Sequence, residues 1–154
     1  MPQHVNSSRA LFDVLRALEL PASHFAIFGS GPLVIRHIIP ASNDLDVICR
    51  DDAWRRVTSM GEIRYLEQYD LSVVSIMNGR ITFGNEWGIG DFDVNLLIDT
   101  AETISGLPFV RLEHVIAYKR IANRPKDIRH IDAAKRLGFL QRGWQGAIPR
   151  SEKQ

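Results

Sequence analysis

Apolar residues along this chain recur at two different spacings, and the switches between them mark its elements. Ala10, Leu11, Val14, Leu15 and Leu18 share one face at helical spacing, which predicts an amphipathic helix over 8–18 with Ser7 or Ser8 as N-cap and Pro21 ending it. Phe25 to Phe28 is an unbroken apolar run, read as a short buried strand, and Gly29-Ser30-Gly31 supplies the sharp turn out of it. Pro32 suits the first position of a short helix to about residue 37, because its fixed φ fits there and its missing N–H is not needed. The loop Pro40-Ala41-Ser42-Asn43 leads into a strand over 44–49. Asp51 or Asp52 can cap a helix to about residue 59, with Ala53, Trp54 and Val57 inward and Gly61 closing it.

Extended pieces follow near 63–66, 72–77 and 80–83. Asn78-Gly79 between the last two is a strong hairpin signal, since both central residues of such a turn take positive φ. This predicts antiparallel sheet in the middle of the chain. Residues 91–98 read as a further strand, with Asp91, Asp93 and Asn95 on one face and Phe92, Val94 and Leu96 on the other. A polar connection over 100–106, with room for a helical turn, precedes two helices, about 112–122 and 126–137. Asn123-Arg124-Pro125 breaks them and Gly138 stops the second. The tail from Gln141 is expected to fray.

Composition narrows this picture. With 154 residues, 45% hydrophobic and 24% charged, the chain is read as one domain over 1–154: a core about 25–110, a basic helical segment about 111–137 and a tail 138–154. The lone Cys49 cannot form an internal disulfide, and its apolar setting suggests a buried thiol in a reducing cytoplasm. No zinc motif is present, and no apolar run approaches the ~20 residues that span a bilayer. A cytoplasmic location is expected. Charge is uneven: residues 1–110 hold 8 Lys/Arg against 14 Asp/Glu, whereas 111–154 hold 11 against 4. An anion lying between an acidic and a basic half would suit this. Solvated helices with Arg and Lys facing water suit it better on charge alone.

The candidate chemistry lies in the Gly-Ser turn and the Asp-x-Asp that follows. Residues i and i+2 of a strand share a face, so Asp44 and Asp46 project together while Leu45, Val47 and Ile48 anchor the strand. Two carboxylates so close repel unless a cation lies between them, and oxygen donors suit Mg²⁺. Glycine at position 29 lets backbone approach a phosphate, Ser30 adds a hydroxyl, and a helix start after it favours an anion. A third acid from the later strand, Asp93 with Asp91 as alternative, would complete a two-Mg²⁺ site if the strands are neighbours. The turn is neither a P-loop nor a dinucleotide fingerprint. His4, His24, His37, His114 and His130 show no metal-ligand pairing, and Gly29-Ser30-Gly31 is no nucleophile elbow. Trp54, Trp87 and Trp144 read as core or contact residues. Arg36 is equally placed to reach a phosphate or to sit in water.

The order strand, Gly29-Ser30, short helix, Asp44-Leu45-Asp46, then Phe92-Asp93-Val94 resembles the DNA polymerase β-like nucleotidyltransferase superfamily, particularly its small stand-alone bacterial members. The helical segment Glu113 to Lys119, with Arg124-Pro125-Lys126-Asp127 and Asp132, is similar to elements seen downstream in such proteins and in toxin-like relatives, so the resemblance covers about 25–137. It implies an α+β fold with a strongly twisted mixed sheet flanked by helices. It also implies transfer of a nucleoside monophosphate from an NTP to an acceptor with release of pyrophosphate, on Mg²⁺. Position by position it assigns Gly29 and Ser30 to nucleotide phosphate, Asp44 and Asp46 to the metals, and Asp93 to the third, catalytic acid. Lys119 and Lys126 become candidates for triphosphate or acceptor contacts. The acceptor stays open among tRNA, protein and a small molecule. An inactive NTP-binding module, as in a toxin–antitoxin or regulatory pair, is the alternative.

Overall fold

A computed structural model describes residues 7–140 except Ile89 and Asp91. The tail from Gln141, Trp144, His4 and Asp91 therefore lie outside the described residues. Helix α1 spans Ser7–Ala17 and is followed by a 3-10 turn at Ala22–His24. Strand β1 (Phe25–Phe28), helix α2 (Gly31–Ile35) and strand β2 (Leu45–Cys49) carry the Gly-Ser and Asp-x-Asp elements. Helix α3 (Asp51–Thr58) leads to strands β3 (Glu62–Leu66), β4 (Leu71–Ile76) and β5 (Ile81–Gly84). Then come helix α4 (Val94–Asp99), strands β6 (Glu102–Ile104) and β7 (Leu107–Phe109), and helices α5 (Leu112–Ala122) and α6 (Pro125–Arg136).

The seven strands form one mixed sheet in the order β3-β4-β5-β2-β1-β7-β6. Strand β2 lies between antiparallel β1 and parallel β5, so it is central and apolar on both faces. Phe25, Ile27, Val47, Phe83 and Phe109 face α1 and α3, packing with Leu11, Phe12, Leu15, Ala53 and Val57. On the opposite face Ala26, Phe28 and Ile48 pack under Leu97 and Ile98 of α4 and Val115 and Ile116 of α5. Each fully buried side chain of this size contributes roughly 1.5–3 kcal/mol. Two cores back to back on one sheet fix the strand that carries Asp46. Cys49 ends that strand, buried, and the apolar surroundings push its thiol up to about 12.

Several expectations change in the structure. Residues 92–98 do not form a strand. Val94, Leu97 and Ile98 turn inward at helical spacing, while Leu96, which alternation would bury, is 39% exposed. The stretch 92–96 satisfies both periods, and the extra turn to Leu97 and Ile98 decides for the helix. The polar connection at 100–106 contains strand β6, which pairs antiparallel with β7 through Ile104↔Leu107 across Ser105 and Gly106, both at positive φ. Asp44 precedes β2 rather than lying on it, and Pro32 is second in a helix of five residues that starts at Gly31. Helix α3 is capped by neither Asp51 nor Asp52, since its N-cap is Arg50 and no side chain bonds there. The hairpin at Asn78-Gly79 forms, with Met77, Asn78 and Gly79 at φ 57°, 56° and 83°. Among the described residues, no helix is long and apolar enough to cross a membrane.

Candidate active site

Register sets up the site. Residues paired across neighbouring strands face the same way, so Phe28 on β1, Asp46 on β2, Thr82 on β5 and Ser75 on β4 form one row across the sheet. Asp46 is the acid in that row, on the face covered by α5 and α6. Gly29, the residue after Phe28, takes φ +64°, and a Cβ built there would come within 2.7 Å of Asp46 Oδ2. The turn thus lays bare backbone against the carboxylate. Ser30 caps α2 with its carbonyl, which accepts from Leu33 N and Val34 N at 3.0 and 3.1 Å. That leaves its hydroxyl to accept from Lys119 Nζ at 3.4 Å. Gly29→Ala should lose about 1–2 kcal/mol from the left-handed backbone alone. Crowding of Asp46 should add to that, and a thermal melt against the wild type reads the total.

Asp46 is pushed up to about 6 from the ordinary carboxylate range, first by burial and second by the neighbouring Asp44 charge. Lys126, Arg124 and Lys119 pull the other way. Asp44 is exposed, and its Oδ1 accepts from Ser42 Oγ at 3.1 Å. The first acid is therefore an exposed loop residue beside a half-buried one fixed on β2.

The cationic wall comes from the α5–α6 junction. Asn123 ends α5 in the left-handed region, Pro125 opens α6, and Asp127 reaches back to the backbone N–H of Arg124 at 3.1 Å. Lys119, 1% exposed, donates to Asp127 Oδ1 at 3.1 Å, and Asp127 itself is fully buried. Arg124 closes on the same carboxylate through Nε at 2.6 Å and donates through Nη2 to the Tyr118 hydroxyl at 2.8 Å. Burial pushes Asp127 up, but the hydrogen bonds from Arg124 and Lys119 outweigh it and hold the carboxyl at about 2. The pair stays charged at neutral pH. Lys119 is lowered by burial, which its bond to Asp127 only partly offsets. Two cations share one carboxylate, leaving a net positive charge that Asp46 senses together with exposed Lys126.

The sequence-predicted residues thus divide. Gly29, Ser30, Asp46 and Lys119 come together; Asp44 and Lys126 act on Asp46 by charge. Asp93 does not complete a three-acid set: its carboxylate caps α4, accepting from Asn95 N at 3.0 Å and Leu96 N at 3.4 Å. Among the described residues no three His, Cys, Asp or Glu side chains could hold a metal together. The reason is that Asp93 begins a helix, while the strand beside β2 is β5, where Thr82 faces Asp46. Sequence reading missed Thr82, and it gave no role to Tyr118 or Arg124, which stand in the segments that carry the resemblance. The strong Lys119 and Asp127 pairing was signalled only by helix-junction residues at 123–125, and the β2–β5 register by nothing local.

No protein-family model and no curated protein matches the chain. Among solved structures, the chain is similar to an H. pylori protein provisionally named a nucleotidyltransferase. The TM-score is 0.50 at 16% identity, covering 89% of this chain and 76% of that one. The fold is a nucleotidyltransferase fold. A Thermotoga maritima protein of the same provisional name aligns at TM-score 0.43 and 12% identity, covering 85% of this chain and 92% of that one. Within the nucleotidyltransferase fold, this chain places Gly29 and Asp46 in contact on the central strands, with Lys119 and Arg124 over them.

Proposed function

We propose that the protein is a Mg²⁺-dependent nucleotidyltransferase of the DNA polymerase β-like kind, moving a nucleoside monophosphate from an NTP to an acceptor hydroxyl and releasing pyrophosphate. One observation carries this reading: a bare Gly29 backbone lies against the half-buried Asp46 carboxylate, under a wall of Lys119, Arg124 and Lys126. That juxtaposition of a carboxylate with a cationic wall suits a metal-bound triphosphate. Asp44 and Asp46 fit one Mg²⁺, which commonly takes one or two carboxylates and completes its shell with water and phosphate. Among the described residues Thr82, not a third acid, is the register partner of Asp46 on β5, and Asp91 lies outside them. Bound Mg²⁺ would neutralise phosphate charge and polarise the transferred phosphoryl group. Lys119 is held by Asp127 beneath the Gly-Ser turn, so it lends the phosphate site a fixed positive charge through Ser30. Ser30 and the Gly29 backbone orient the same group.

Incubation with labelled NTP, Mg²⁺ and cell extract tests the reading. Transfer of label to an acceptor with matching pyrophosphate release is the expected result. Nucleotide binding without label transfer or pyrophosphate release would refute it. The second outcome has its own support in Thr82, whose neutral hydroxyl stands where a third acid could have been, and it would make the protein an NTP-binding module.

Thr82→Asp checks the row directly. A third carboxylate beside Asp46 should raise Mn²⁺ affinity by about 10-fold in calorimetry, the worth of one close charge contact. It should also lower the melting temperature of the metal-free protein by repulsion. Unchanged Mn²⁺ binding would show that Thr82 does not face the ion.

A further inference from the structure

The sheet has two edges, and they are finished differently. Strand β6 is three residues long, and two arginines tie its ends: Arg36 donates to Glu102 at 2.7 Å and Arg16 to the Ser105 carbonyl at 2.8 Å. Strand β3 is five residues long, and among the described residues nothing pairs with its outer side. An open edge of that length is a template for another strand. Ile63 and Tyr65 stand on one face of it, each 59% exposed, and Gly61 lies two positions before Ile63. The Tyr65 hydroxyl donates to Asp70 in the turn after the strand, which holds the ring along the edge. Glu62 and Arg64 stand on the other face, the one that carries Asp46, because Glu62 pairs with Ser75, Ser75 with Thr82 and Thr82 with Asp46. Among the described residues neither charge has an ion-pair partner in its own chain.

We propose that β3 pairs antiparallel with β3 of a second copy of this chain, in the register that sets Ile63 opposite its own counterpart. Directly opposite residues of an antiparallel pair share a face, and a two-fold axis repeats every contact, so the charge pattern decides the register. With Ile63 at the axis, Glu62 of each copy faces Arg64 of the other. Centring on Glu62 or on Arg64 instead sets like charges opposite one another, which destabilises a pair. The same register lays Tyr65 over Gly61 of the other copy, where the missing side chain leaves room for the ring. Charges on an edge ordinarily keep strands apart. Here two of opposite sign, two positions apart, select a partner that carries them in reverse order, which a second copy does. Both Asp46 sites then lie on the same side of one continuous sheet, seven strand spacings or roughly 34 Å apart at ~4.8 Å per strand.

Sedimentation of the full chain between about 1 and 200 µM tests this. The expected result is a concentration-dependent monomer–dimer equilibrium. Glu62→Arg and Arg64→Glu should each weaken it by at least about 10-fold, since each turns both attractive contacts repulsive. Mixing the two variants in equal amounts should restore the dimer, because one copy of each again sets opposite charges face to face. A wild-type chain that stays monomeric throughout, or a dimer indifferent to both substitutions, overturns the proposal. Loss of the dimer in both variants without recovery in the mixture overturns it as well, because folded copies paired in this register must recombine.

Discussion

Asp46→Asn is expected to abolish nucleotide transfer, by on the order of 10³-fold or more, while making the metal-free protein more stable. The two effects have one cause. Burial and Asp44 raise the Asp46 carboxyl to about 6 in the folded chain, against 3.8 for the unperturbed group. Because the folded state holds this proton more tightly than the unfolded one, stability falls as pH rises from about 4 to about 6, and the loss is complete above that. Two pK units correspond to roughly 3 kcal/mol. Asparagine has the same shape and no charge, so above pH ~6 it should raise the melting temperature by about 5 °C or more. The gain should vanish below pH ~4, and saturating Mg²⁺ should close the gap by stabilising the wild-type charge. Melting curves of both proteins across pH, with and without Mg²⁺, check each arm. A destabilised Asp46→Asn at neutral pH would show that the carboxylate is already compensated by Lys126, Arg124 and Lys119, and would remove the physical case for a missing cation.

The second large effect lies at the α5–α6 junction. Asp127→Asn leaves Lys119 buried beside a neutral amide, and breaking one side of a buried pair costs about 3–5 kcal/mol. A melting-temperature drop on the order of 10 °C is expected. Lys119→Met alone should cost similarly, because Asp127 then keeps only Arg124. The double variant Lys119→Met/Asp127→Leu should recover much of the loss, since an apolar pair of similar volume needs no partner. If the double variant is as unstable as the sum of the singles, the pair is not coupled as its 3.1 Å contact implies. The pH signature is opposite to that of Asp46. With the folded carboxyl at about 2 against 3.8 unperturbed, Asp127 contributes stability that is fully present above pH ~4 and is lost as pH falls through about 2. Together the two acids place the stability maximum of the metal-free protein near pH 4 to 5. Asp127→Asn should flatten the acid limb, and Asp46→Asn the neutral one.

The charge asymmetry is resolved by this junction. On charge alone, the basic C-terminal half reads as solvated helices, and Arg129, Lys135 and Arg136 do face water. Lys119 does not: it is buried against Asp127 and touches Ser30. Among the described residues most cations of this half face water; Lys119 and Arg124 turn instead to Asp127, and Lys119 also meets the Gly-Ser turn.

Much of the architecture was legible in order. The helices at α1, α3, α5 and α6, the strands β1 to β5 and the hairpin turn at Asn78-Gly79 follow from period, caps and turn residues, all set by neighbours a few positions apart. The Gly29-Ser30 turn and the Asp44/Asp46 pair were legible for the same reason. Residues 92–98 were not, because five residues satisfy both periods and only packing of Leu97 and Ile98 under β1 and β2 separates helix from strand.

What the sequence determined by itself was the set of chemical groups and the local elements that carry them: glycine where backbone must turn at positive φ, acids bracketing Leu45, and a proline and asparagine that break the last two helices. What only the tertiary structure decided was which groups meet. Thr82 rather than Asp93 lies beside Asp46, since β5 joins β2 as a parallel neighbour through a crossover whose register is set by packing on two faces. Lys119 meets Asp127 and Ser30 from 89 positions away in the latter case. Such contacts depend on the balance of burial over the whole sheet, a sum that no local stretch of chain contains.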